Sequence, residues 1–285
     1  MSPLTIVMAI ILGLYCAILI IWLIWAFLTS LKDPNDFLGN KYGLPDPWYF
    51  DNFSYVLHEY KVEKLIDGVK TVISTGDMIM NSILYSVGSA FVATLVPCIT
   101  AYLCARYKYK FSKIVYGTVL VCMVVPIVGS QASELQVVIR MGIYDHMFGM
   151  WILKSGFLGL YFLVFHEVFS SIPDAYGEAA EIDGASEATI MFRIYFPLAI
   201  KIMLTVFLIQ FVALWNDYQT PLLYLPTHPT LAYGVFYLSY FMNHEFYNTP
   251  IRMTGCIMLV IPIFIIFVVF RNKLMGDISL GGIKE

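Results

Sequence analysis

The densest run of side chains able to do chemistry lies between Ser171 and Leu198, where Asp174, Glu178, Glu181, Asp183 and Glu187 face a single cation, Arg193. No catalytic partner accompanies them. His166-Glu167 and His244-Glu245 are not followed by the second histidine of a His-Glu-x-x-His zinc motif, and no Gly-x-Ser-x-Gly elbow occurs. A Gly-x-x-x-x-Gly-Lys-Ser/Thr loop is also missing, so the sequence offers no P-loop of its own for ATP. Cys16, Cys98, Cys104, Cys122 and Cys256 all sit in apolar segments with no Cys-x-x-Cys pair, which points to packed thiols rather than disulfides or a metal site. The sequence thus predicts a non-catalytic chain with no catalytic residues, no metal site and no cofactor.

What the acidic run does encode is shape. Ser171 with Asp174 fits a capping box, and Pro173 is tolerated in a first turn. Ala175 to Asp183 predicts a helix that Gly184 ends in a left-handed C-cap, and a second short helix starts at Ser186. Pro197 then leads into an apolar span. The result is a two-helix elbow with a negative face, in which Ala179, Ala180 and Ala185 permit close approach of another surface. Two readings stay open on physics alone: a rigid protrusion that takes force from a soluble partner, or an ordinary solvated loop.

The elements that must position this elbow are apolar. The 285 residues are 59% hydrophobic and 13% charged, with mean hydropathy +0.75, about half the charge of a water-soluble chain. Six segments are wide enough to cross a bilayer: residues 4–29, 79–105, 114–133, 150–168, 199–217 and 252–270. The first is too long and lacks the basic start and small-residue cleavage site of a signal peptide. Lys154 interrupts the fourth near its start.

Arg106, Lys108, Lys110 and Lys113 follow the second span and Arg271, Lys273 and Lys284 follow the sixth, whereas 202–251 carries no Lys or Arg. By the positive-inside rule this predicts a multi-pass plasma-membrane protein with both termini in the cytoplasm. The stretch 30–78 then lies outside and reads as irregular structure followed by a short amphipathic helix. A second outer segment, 218–250, is rich in proline and aromatic residues. Neither is long enough for a separate domain. The expectation is one all-α polytopic domain over 1–285: first helix and outer segment in 1–78, a five-helix core in 79–270, the elbow loop in 171–198 and a cytoplasmic tail in 271–285. No internal repeat is visible, and no basic tract suggests nucleic acid.

Glu178-Ala179-Ala180, Asp183-Gly184-Ala185 and Pro197-Leu198 together resemble the EAA loop of ABC importer permeases. More of the chain is similar to the carbohydrate (maltose-type) branch of that family, in particular the second maltose permease. The residues involved are Asn81-Ser82, Met123-Val-Val-Pro126, Met141-Gly142-Ile143-Tyr144-Asp145, Ile172-Pro173, Trp215-Asn216-Asp217, Pro221-Leu222 and the Gly-rich tail Gly276 to Lys284. The likeness covers most of residues 45–285. Phe196 replaces the usual leucine before Pro197, a change expected to matter little. His166-Glu167 stands where a basic residue is common, and Gln131-Ala-Ser-Glu134 replaces an apolar run.

The resemblance implies a six-helix type I permease bundle that pairs with a second permease subunit. A cytoplasmic ATPase dimer binds the ATP and Mg, and an extracellular solute-binding protein delivers a sugar. Glu178, Ala179, Ala180, Asp183, Gly184, Ala185 and Pro197 would form the coupling helix seated on the ATPase. Polar groups at membrane depth mark a path, which makes Gln131, Glu134, Trp215, Asn216 and Asp217 candidates for substrate contact; the last two equally suit helix capping or a subunit bridge. A permease for peptide, polyamine or sulfonate would share the loop but not the Trp215 motif and tail. An ion-coupled transporter should show repeats and paired mid-membrane acids, and a membrane enzyme a catalytic set.

Overall fold

The computed structural model describes residues 2–66, 69–107, 109–125, 129–240 and 249–275, without the side chains of 65, 66, 69, 70 and 271–275. Lys108, Pro126 of the Met123 run, His244-Glu245 and the Gly276–Lys284 tail lie outside the described residues.

The chain is mostly helical, and it divides into two units, Met1–Ile79 with Leu231–Ile265 and Met80–Thr230 with Ile266–Glu285. In chain order the elements are α1 (Pro3–Ser30), α2 (Pro34–Gly39), α3 (Asp51–Ser54) with a π turn over Tyr55–Glu59, β1 (Lys61–Ile66), β2 (Val69–Ser74), α4 (Thr75–Arg106), α5 (Lys110–Val124), α6 (Gln131–Arg140), α7 (Met147–Leu153), α8 (Leu160–Ser171), α9 (Ala175–Ile182), α10 (Glu187–Ile190), a π turn over Met191–Tyr195, α11 (Phe196–Trp215), α12 (Gln219–Tyr224), α13 (Leu231–Tyr240) and α14 (Thr249–Met275).

Among the described residues, four helical stretches are long and apolar enough to cross a membrane: Pro3–Ser30, Thr75–Arg106, Glu187–Trp215 and Thr249–Phe270. At 1.5 Å per residue α1 is about 42 Å long, more than the ~30 Å hydrocarbon core needs. Ser2 caps it by accepting from the Thr5 amide at 3.2 Å. Its apolar side chains are exposed on every face, from Leu4 at 72% to Phe27 at 48%, which only an apolar surrounding makes cheap.

Two expected spans are shorter than their apolar runs. The third, expected over 114–133, is helical only as α5, to Val124. Val125 is extended (φ −81°, ψ 111°), as the residue before a proline tends to be, and Gln131 opens a separate helix. The fourth, expected over 150–168, breaks after Leu153: Lys154 caps α7, Ser155 to Gly159 is non-helical, and α8 has 12 residues. Hydropathy continues through both breaks, while local backbone chemistry does not.

The outer stretch departs from expectation as well. The short helix over Asp51–Glu59, with Asn52 and Val56 buried, is followed by strands: β1 and β2 pair antiparallel with Lys61 opposite Ser74 and Ile66 opposite Val69. Val62 and its partner Ile73 are buried, while Val72 is 48% exposed; this period-two burial is that of a strand. Among the described residues the fold is therefore helical with one small two-stranded sheet. In the same unit the buried Asn52 donates to the Ser30 and Lys32 carbonyls at 3.0 and 2.8 Å, closing the carbonyl end of α1.

In the other unit the core is aromatic. Tyr102, Phe162, Phe165, Phe169, Tyr195 and Phe196 are buried with Cys98, Ala101, Val119, Ile190, Ala199 and Val206. Phe196, expected to be inconsequential, stacks on Phe169 at 6.1 Å and meets Phe192 edge-on at 5.2 Å. A leucine would forgo those ring contacts, worth about 0.5–1.5 kcal/mol per pair beyond area burial.

Candidate functional site

Between α8 and α11 the chain forms the elbow read from the sequence. α9 ends in a Schellman arrangement: the Gly184 amide donates to the Glu181 carbonyl at 3.0 Å and the Ala185 amide to the Ala180 carbonyl at 2.9 Å. Gly184 sits at φ +79°, which a residue with a Cβ adopts at a cost. Ser186 then caps α10, its hydroxyl accepting from the Thr189 amide at 3.3 Å. The expected capping box does not form. Ser171 is the last residue of α8 and its hydroxyl donates to the Val168 carbonyl at 2.7 Å, while Asp174 takes the cap position with its carboxylate turned to Arg106.

Pro197 leads into the apolar span without a break. α10, the π turn and α11 form one helical run. Pro197 has no amide to return to the preceding turn, and the widened turn over Met191–Tyr195 directly precedes it. That turn brings Tyr195 into the core next to Gly177 of α9. A Cβ on Gly177 would come within 2.9 Å of the Tyr195 hydroxyl, so the close seating of α9 depends on glycine there.

The elbow is held to the end of α4. The Arg106 guanidinium, 12% exposed, pairs with Asp174 at 2.7 Å and donates to the Ile172 carbonyl at 3.0 Å. It also donates to the Tyr195 hydroxyl and lies 4.4 Å from the centre of the Tyr195 ring. Tyr107 donates to Glu187, the first residue of α10; burial and that bond push the Tyr107 hydroxyl above its ordinary value. Between these contacts lies a cleft of about 320 Å³ lined by Tyr102, Arg106, Asp174, Glu178, Glu181 and Glu187, among others.

The residues predicted for the elbow split into two groups. Glu178, Ala179, Asp183 and Gly184 are exposed, as is Pro197. Ala180 and Ala185 instead pack partly against the chain's own aromatic core, so their small size serves seating rather than an outer contact. Sequence reading missed Arg106, Tyr107, Tyr195 and Gly177. Arg106 was legible only as one of a cationic cluster; that five acids and that cluster fall on the same side of the apolar spans was the signal for a pairing. Two large apolar side chains also stand out on the elbow: Ile182 is 87% exposed and Tyr176 52%.

The residues predicted to touch substrate have different surroundings. Trp215 is buried and stacks on Phe211 at 5.7 Å, which withdraws its ring from a sugar-stacking role. Asn216 is exposed and its amide donates back to the Val212 carbonyl at 2.9 Å. Asp217, just past α11, accepts from Tyr85 at 2.7 Å, from the Thr220 amide at 3.0 Å and hydroxyl at 2.6 Å, and lies 3.5 Å from Lys154. Burial alone would raise its carboxyl, but the bonds from Thr220 and Tyr85 and the Lys154 charge outweigh that and hold it below its ordinary value. Gln131 is exposed in the first turn of α6. Glu134 acts near the far end of α12, where burial and its charge push the Tyr224 hydroxyl up. Asp145, at φ +59°, accepts from the Thr227 amide at 3.0 Å and ties the turn after α6 to the turn after α12.

Comparison with known proteins gives four findings. The model of the family described as "Binding-protein-dependent transport system inner membrane component" matches residues 93–275, well over half of the chain. The chain is 27% identical over 258 residues to the melibiose/raffinose/stachyose import permease protein MelC of Bacillus subtilis, covering 90% of this chain and 88% of the relative. It is 22% identical over 273 residues to the diacetylchitobiose uptake system permease protein NgcG of Streptomyces coelicolor, covering 94% and 85%. Among solved structures, a bacterial ABC transporter involved in import of the acidic polysaccharide alginate contains a similar chain, with TM-score 0.77, 22% identity and coverage of 94% and 95%; at that identity the likeness is one of fold.

Proposed function

The chain belongs to the family of binding-protein-dependent transport system inner membrane components, and from that premise we propose that it is the permease subunit of an ABC importer for a sugar or oligosaccharide. Its relatives are permeases named for diacetylchitobiose and for melibiose, raffinose and stachyose, which supports saccharides as the cargo over peptides, polyamines or sulfonates. The chain itself catalyses nothing. A second permease completes the six-helix-per-subunit bundle, a cytoplasmic ATPase dimer supplies the work with its own ATP and Mg, and an extracellular binding protein delivers the sugar. On this reading both termini and the elbow face the cytoplasm, and the whole chain acts as one permease domain in the plasma membrane.

The observation that carries the reading is the elbow. A helix pair of 16 residues, Ala175–Ile190, is capped, seated and held at both ends, yet it displays Tyr176 and Ile182 beside Glu178, Glu181 and Asp183. Exposed apolar side chains amid charge, on the basic side of the spans, suit a protein partner better than lipid. Closure of the ATPase would push this rigid element, and the helices attached to it would rock between inward- and outward-open states, each biased by its contacts with the motor. The candidates left for the sugar path are Gln131, Glu134 and Asn216; Trp215 and Asp217 are better accounted for by packing and by the Asp217 bonds.

The test is transport by the assembled complex in proteoliposomes, with labelled melibiose, raffinose, trehalose and diacetylchitobiose, and with a peptide and a polyamine as controls. Proline cannot adopt φ +79°, and a bulky Ala180→Trp would lift α9 off the core. Both Gly184→Pro and Ala180→Trp should leave membrane insertion intact while ATP hydrolysis no longer drives uptake. Undiminished uptake in either variant would remove the coupling role, and uptake of the controls alone would remove the sugar.

A further inference from the structure

We infer that Arg106 and Tyr107, the two consecutive residues where α4 ends, are positioning residues that grip both arms of the elbow, so that α4 turns with it. The inference rests on the coupling role proposed above and adds the route by which motion enters the helix bundle.

A lever held at one point can pivot about it without moving what it is attached to; a lever held at two separated points cannot. Arg106 holds the entry to α9 through Asp174 at 2.7 Å and the Ile172 carbonyl at 3.0 Å. Tyr107 holds the entry to α10 through Glu187. The two grips therefore fall on different helices of the elbow, with the Gly184 bend between them.

Arginine suits the first grip better than lysine would. Its planar fork presents several donors in fixed directions, and three are used at once: on Asp174, on Ile172 and on the Tyr195 hydroxyl. The third is the important one, because Tyr195 closes the π turn that leads into α11. One guanidinium thus links α4, the elbow and α11, and its 4.4 Å stacking on the Tyr195 ring fixes its tilt. Movement of the elbow is then delivered to two long apolar helices together, instead of being absorbed in the loops on either side.

The test uses the full transporter, with this chain, the second permease, the ATPase and the binding protein, reconstituted in proteoliposomes. It measures saccharide taken up per ATP hydrolysed with the four labelled sugars above. Arg106→Ala should still assemble with the ATPase and hydrolyse ATP, while uptake per ATP falls about tenfold, within the range of ordinary allosteric coupling. Arg106→Lys, which keeps the charge but not the fork, should recover part of the ratio. Tyr107→Phe, which removes only the hydroxyl, should lose a few-fold. Arg106→Ala with Asp174→Ala should be no worse than Arg106→Ala alone, since Asp174 has already lost its partner in the single variant.

An unchanged ratio in Arg106→Ala overturns the inference. If that variant does not assemble, Tyr107→Phe decides it: an assembled complex with the wild-type ratio overturns it equally. Should the wild-type complex itself fail to couple hydrolysis to uptake, or Gly184→Pro remain fully coupled, the failure lies in the coupling reading, and the inference falls with it.

Discussion

Two places in the same unit use carboxylates on opposite terms. At Asp217 a single carboxylate takes two bonds from Thr220 and one from Tyr85, and has Lys154 at 3.5 Å. At the elbow, Glu178, Glu181 and Asp183 make no ion pair among the described residues and are exposed, although Arg106 sits close by and is spent on Asp174. The first site has satisfied its own charge and gains nothing from a visitor. The second keeps its acids in water, where their cost is small, and beside exposed Tyr176 and Ile182. Sequence makes both look like polar clusters; bonding separates a joint of the fold from an exposed acidic surface.

The contrast can be tested by substitution, in order of expected loss. Asp217→Ala leaves the buried Tyr85 hydroxyl without its acceptor and removes the charge opposite Lys154, which keeps only its bond to the Thr220 hydroxyl. It should cost about 3 kcal/mol of stability, read as a lowered unfolding midpoint in detergent. The pH dependence has a definite sign. The folded carboxyl lies below its ordinary value, so its contribution is complete above the unfolded value of about 4 and fades as pH falls through the folded one. Asp217→Asn should therefore flatten the acid side of the stability profile; an unaltered profile would show the bonds to be worthless.

Gly177→Val should come next, at about 1–3 kcal/mol, because the added atoms crowd the Tyr195 hydroxyl. Gly184→Ala, strained at φ +79° but with open space around its Cβ, should cost about 1 kcal/mol. Smallest is Ile182→Ser, within about 0.5 kcal/mol of wild type, since the side chain is 87% exposed. Yet that variant should co-purify with markedly less ATPase. A stable Ile182→Ser that retains its full complement of ATPase would make the elbow as self-contained as Asp217.

The elbow was largely legible because its punctuation is local: Gly184 needs a left-handed backbone, Ser186 accepts from an amide three residues on, and the small residues sit at helical spacing. What escaped was non-local. Arg106 and Asp174 are far apart in sequence and only the fold makes them a pair. Helix breaks after Val124 and Leu153 hide inside continuous apolar runs, because burial in lipid and burial in protein favour the same residues. The β1–β2 hairpin was misread because six residues such as Lys61–Ile66 are too few to separate a period of two from one of 3.6. Trp215 shows what residue type alone does not say: a ring that suits sugar by type is stacked on Phe211 in the fold.

The widened turn at Met191–Tyr195 has a geometric consequence. One residue more than an α-helix needs shifts the phase of everything beyond it by about 100°, so the heading of the elbow relative to the exposed face of α11 is written in the chain count of that turn. Excising a single residue there would restore an even winding and swing the whole protrusion about a quarter of the way around the helix axis, leaving its composition intact and its aim wrong.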